Sequence, residues 1–192
     1  MPDSSTAEST QAPASNVIPA IQSWLDTNAK KIQQFWIGAD WRSWARYDLF
    51  IALENAFEDE YLVNHGIPIW ESYHEDEQVD TLLEHRDGGT NIAIRLRCEN
   101  VNDNCGSFED FSKEYQKDWT LLQDLNQHAE PEHEDTKVML LGFSGQPMVP
   151  DEDEEPSFGE LKPDSIKSGE VYAWYLYDEI KKADQVENET SS

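Results

Sequence analysis

The stretch Val79–Cys98, VDTLLEHRDGGTNIAIRLRC, decides how the chain is read. Val79 to Leu83 and Asn91 to Cys98 are short apolar runs, and Asp87-Gly88-Gly89 lies between them. Glycine takes positive φ without steric cost, so apolar runs on either side of such a turn predict a β-hairpin. In the second run Ile92, Ile94 and Leu96 alternate with Ala93, Arg95 and Arg97. Successive side chains of a strand point to opposite faces, so the two arginines share one face. Counting inward from the turn puts Asp80 close to opposite Arg95, which predicts an ion pair between the two strands.

Upstream of the hairpin the apolar period is helical. Ile18, Ile21, Leu25, Ile32, Phe35 and Trp36 predict a helix from Val17 to Ile37, with Pro19 tolerable in its first turn and Gly38 ending it. Trp41, Trp44, Ala45, Leu49, Ala52, Leu53, Ala56 and Phe57 form one broad stripe over a second helix, Arg42 to Glu60, interrupted only by Asp48. Ile67 to Tyr73 reads as extended. Downstream, Phe108, Phe111, Tyr115, Trp119, Leu122 and Leu125 predict a third helix from Phe108 to Asn126, with Ser107 as its N-cap. Lys137 to Phe143 (KVMLLGF) has the length of a buried strand, and Val171 to Tyr177 is a last strand, followed by a short terminal helix. Helices and strands in this order predict an α/β or α+β fold, a central mixed sheet flanked by helices.

The chain has 192 residues, enough for one domain with tails. Residues 1–16 and 184–192 hold too little apolar surface to offset chain entropy and are expected to be disordered, leaving 17–183 as the single globular domain. Asp plus Glu number 40 against 14 Lys plus Arg, a formal net charge of −26. That field repels nucleic acid and anionic membrane surfaces alike. No run is long enough to span a bilayer, and the first residues lack the basic start and apolar core of a secretory signal, so the cytoplasm is the expected compartment. Cys98 and Cys105 make neither a disulfide framework nor a CxxC site; a buried thiol and a loop residue are the expected states. His74-Glu75-Asp76-Glu77 and the stretch from His128 to Glu134 mix imidazoles with carboxylates at spacings that match no metal motif, and read as solvated turns. The segment FWIGADWRSWARYDLF, residues 35–50, is dense in aromatics; it reads first as a core stripe joining two helices, and otherwise as an exposed anchor for a partner.

Taken together, Glu54 in ALENAF, Asp80 in QVDTLL, the triplet Arg95-Leu96-Arg97, the helix with Lys117-Asp118-Trp119 and the strand KVMLLGF resemble, over about residues 41–145, the core of the PD-(D/E)xK, or restriction-endonuclease-like, superfamily. The resemblance implies a divalent metal held by an Asp and by the Glu of Glu-x-Lys, which activates water, with the Lys stabilising charge on the phosphate. Asp80 matches the first carboxylate. Arg95 stands where the Glu belongs and Arg97 where the Lys belongs. A guanidinium has no free lone pair and stays protonated, so Arg95 cannot ligate a metal. The site is thus expected to be vestigial at Asp80 and Arg95, without metal or other cofactor. The first functional expectation is a noncatalytic acidic binding protein, inhibitor-like or immunity-like. It would bind a basic protein surface such as that of a nucleic-acid-acting protein, by electrostatic steering. The acidity is equally what salt adaptation or plain solubility would produce. The alternative is a Mg²⁺-dependent nuclease with a migrated carboxylate, using Asp80, Glu99 and Glu54 as ligands and Arg97 in place of the Lys.

Overall fold

Apolar spacing of three and four residues builds three helices: α1 (Ala14–Phe35), α2 (Trp41–Phe57) and α3 (Phe108–Leu125). Shorter apolar runs build six strands: β1 (Tyr61–Ile67), β2 (Val79–His85), β3 (Asn91–Cys98), β4 (Thr136–Gly145), β5 (Asp164–Ser168) and β6 (Val171–Glu179). The computed structural model describes residues 14–35, 41–69, 78–99, 108–125, 133, 136–145, 158 and 161–179. Residues 1–13 and 180–192, which hold most of the expected N-terminal tail and all of the expected C-terminal one, lie outside the described residues, as do the expected terminal helix, the Ser107 cap, Trp36, Cys105, the stretch 70–77 and the acidic run 151–155.

The strands form one sheet in the order β1-β2-β3-β4-β6-β5. β1, β2 and β3 run antiparallel in sequence, and Gly88, at φ 74°, makes the β2–β3 turn. β3 and β4 are parallel, from Asn91↔Thr136 to Cys98↔Phe143, with α3 in the crossover between them. A parallel pair needs such a crossover, because a tight turn can only reverse the chain. β4 pairs antiparallel with β6, and β6 with β5. The sheet is therefore mixed, with helices on both faces.

Two apolar layers follow from strand alternation. Ile92, Ile94 and Leu96 of β3 and Met139, Leu141 and Phe143 of β4 pack with Ile21, Leu25 and Ile32 of α1 and Ala45, Leu49 and Leu53 of α2. The opposite face presents Ala93, Val138, Leu140 and Trp174 to Phe111, Tyr115, Trp119 and Leu122 of α3. α3 sits close because residue 142 is glycine. A Cβ there would lie 2.6 Å from the Tyr115 ring, whose hydroxyl donates to the Leu140 carbonyl at 3.0 Å.

The central mixed sheet flanked by helices is the architecture the hairpin led to, and β3 has the bounds expected of it. Several bounds differ. α2 ends at Phe57, and the first strand is Tyr61–Ile67 rather than an extended run beginning at Ile67. Tyr61 and Val63 are buried beside an exposed Leu62, a two-residue alternation hidden by acidic neighbours at 58–60. β5, DSIKS, is a half-exposed edge strand too polar to show a strand period. α1 begins at Ala14, inside the expected tail, since the turn that presents the fully buried Val17 runs back to that residue. Asp48, the one break in the α2 stripe, accepts a 2.8 Å hydrogen bond from Trp24 Nε1 and lies 3.9 Å from Lys31, so it joins α2 to α1.

Candidate functional site

The β2–β3 ladder runs Leu83↔Ile92, Leu82↔Ala93, Thr81↔Ile94 and ends there. One further step would set Asp80 opposite Arg95, the register counted from the turn. The Asp80 side chain is used otherwise. Its Oδ2 accepts the backbone N–H of Leu96 at 2.6 Å, and its Oδ1 lies 2.5 Å from Nε of Arg46 on α2. The arginine contact is an ion pair whose N–H points away from a hydrogen-bond line. Asp80 is 4% exposed, so these two groups stand where water would otherwise surround its carboxylate. The expected Asp80–Arg95 pair does not form. Arg46 reaches the carboxylate from the α2 side of the sheet, while Arg95 shares its face with Arg97, which points to α3.

Arg97 makes the second charge link. Its Nε and Nη2 donate to the two oxygens of Asp118 on α3, at 2.5 and 2.7 Å. The fork matches the carboxylate geometry, and the Asp118 hydrogen bond and charge raise the guanidinium's affinity for its proton against the opposing effect of burial. The hairpin is thus pinned to the helices of both layers, by Arg46–Asp80 on one face and Arg97–Asp118 on the other.

Glu99 follows the end of β3, 4% exposed. Its Oε2 accepts the N–H of Gly145 at 3.1 Å, its Oε1 has no hydrogen-bond partner among the described residues, and its backbone carbonyl accepts Trp41 Nε1 at 2.7 Å. Burial pushes the Glu99 carboxyl up to about 8, only partly opposed by the Gly145 hydrogen bond, so at neutral pH it holds its proton. A cation bound by Glu99 would first have to displace that proton. Glu54 is exposed on α2. Among the described residues no three His, Cys, Asp or Glu side chains lie close enough to hold one metal ion, so Asp80, Glu99 and Glu54 are not gathered into a ligand set. Cys98 is buried, and burial pushes its thiol up, away from the thiolate a nucleophile needs.

The aromatic segment divides between core and surface. Trp41 is buried, Trp44 is half-buried between Lys31 and Trp24, and Tyr47 is exposed. Sequence reasoning missed Arg46 and Asp118 as the partners of the triplet region. Each stands beside buried positions, Arg46 between Ala45 and Leu49 and Asp118 next to Trp119. A charge bordering a buried stripe needs a countercharge, and that was the available signal.

By architecture, then, the chain is an α+β protein built on a six-stranded mixed sheet, and none of its described helices is long and apolar enough to cross a membrane. Set against known proteins, it matches no family model, no curated sequence and no solved structure.

Proposed function

We propose that the chain is a noncatalytic acidic binding protein on a degenerate PD-(D/E)xK-like scaffold, and that it binds and inhibits a basic, nucleic-acid-acting protein. The observation that carries this reading is the state of Asp80. The one carboxylate that matches the superfamily's metal ligand has both oxygens committed, to Leu96 N–H and to Arg46. A metal taken up there would have to displace an arginine and strand its charge half-buried. The run of α2, β1, β2, β3, α3 and β4 is compatible with the scaffold. A net charge of −26 suits a partner of opposite sign, since it steers encounter over distances set by ionic strength.

The test is capture with the full chain as bait at low salt, identification of what is retained, and measurement of its association rate against salt. The reading expects a partner of basic net charge whose association slows by roughly tenfold or more between about 50 and 500 mM NaCl. Retention of only acidic or neutral proteins, with salt-independent rates, would contradict it.

A further inference from the structure

Two of the large apolar side chains that stand exposed lie one turn apart on α2: Tyr47 at 58% and Ile51 at 52%. Residues three and four apart share a helix face, so Tyr47, Ile51 and Glu54 form one stripe, which Glu58 continues just past the end of the helix. At 1.5 Å per residue the stripe is roughly 16 Å long. One half of it is apolar and the other acidic. Tyr47 is held in place, its ring stacked 4.9 Å above that of His65 on β1, with Phe50 set edge-on to the same imidazole at 5.8 Å. An exposed aromatic fixed before binding loses little freedom on contact, which is how anchor residues behave. Neither Glu54 nor Glu58 makes a side-chain ion pair among the described residues, and the last turn of α2 carries no basic residue. Arg86 donates its Nε to the Glu58 backbone carbonyl at 3.2 Å but pairs with neither carboxylate, so the two negative side chains at the negative end of the helix dipole still favour a further cation.

We propose that this face of α2 docks a cationic amphipathic helix of another protein, with apolar side chains on Tyr47 and Ile51 and lysines or arginines reaching Glu54 and Glu58. The inference rests on the binding-protein reading above and assigns it a surface. Charge complementarity selects this occupant over a second copy of the chain. A copy would bring −26 against −26 and set its own acidic half against this one.

The experiment titrates the full chain with three labelled peptides of about fourteen residues: an amphipathic Leu/Lys helix, a Leu/Gln helix of the same pattern, and an oligolysine. Fluorescence anisotropy at about 50 mM salt gives the affinities. The Leu/Lys helix should bind tightest. Ile51→Ser with Glu54→Lys should weaken it about tenfold, the scale of losing one hot-spot contact. Glu109→Lys with Asp124→Lys on α3 removes two acidic residues where the α2 variant removes one, and should still change it by less than about threefold. All four positions are partly or fully exposed, so the variants should fold like wild type, checked by thermal melting. Equal weakening by the α2 and α3 variants, or binding of oligolysine as tight as that of the Leu/Lys helix, overturns this face while leaving the acidic-binding reading in place. No binding of either cationic peptide overturns both. Concentration-dependent dimers lost on Ile51→Ser would assign the face to a second copy and overturn the proposal.

Discussion

Among the described carboxylates, Glu99 is the one whose chemistry departs furthest from its ordinary state. Its folded carboxyl titrates near 8 against 4.5 ordinarily, so between those values the folded chain binds a proton that the unfolded chain has released. Stability from this group is intact below about pH 4.5, falls as pH rises toward 8, and levels off above it, at up to about 1.4 kcal/mol per pH unit. Glu99→Gln imitates the protonated acid and should lack that slope. Urea denaturation of both proteins across this range checks it, and parallel pH profiles would refute it. The Arg97–Asp118 fork is the other residue-scale test. Asp118→Ala strands a half-buried guanidinium and should cost about 2–4 kcal/mol, whereas Arg97→Leu with Asp118→Leu should cost much less than the sum of the single changes. Denaturant midpoints for the cycle decide; additive losses would mean that the two groups are not coupled.

The layers between elements are set by close contacts at few positions. Gly142→Ala puts a methyl against a Tyr115 ring that Phe111 and Phe158 also flank at 5.9 and 5.2 Å, so the ring has little room to move. The expected loss is about 1–3 kcal/mol, the scale of overpacking, read from thermal or urea melts. A neutral result would mean that α3 lifts from β4 at no cost. Trp119→Ala should cost about 3–5 kcal/mol, and Trp44→Ala less, because Trp119 is 6% exposed and Trp44 only half-buried. Much at this scale was legible in the chain. The β2–β3 hairpin, α3 and β4 could be read because glycine at the turn and the apolar period both report local geometry. β1 and β5 could not, because acidic neighbours and a polar edge hide a two-residue alternation. The site was legible in part. Register placed Asp80 across from Arg95, but which cation it meets depends on how α2 lies over the sheet, and sequence spacing does not report that.

At the scale of the whole molecule the dominant quantity is charge. A chain at −26 repels itself, and folding brings those charges together. Salt should therefore stabilise it: the melting temperature should rise between about 50 and 500 mM NaCl, where the screening length falls below about 10 Å. A flat or falling melting temperature would mean that its ion pairs, rather than its excess charge, set the electrostatic balance. The basic partner proposed above would be steered by the same charge.

The account stands or falls on Asp80, whose carboxylate is committed to Arg46 and Leu96 rather than held ready for a divalent metal. Isothermal titration of the full chain with Mn²⁺ or Mg²⁺, beside a cleavage assay on DNA and RNA and the same pair of measurements on Asp80→Asn, tests that directly. The account predicts no saturable heat, no metal-dependent cleavage, and an Asp80→Asn protein that differs from wild type only in being less stable. Saturable binding with cleavage, both lost in Asp80→Asn, would contradict it and make the chain a metal-dependent nuclease.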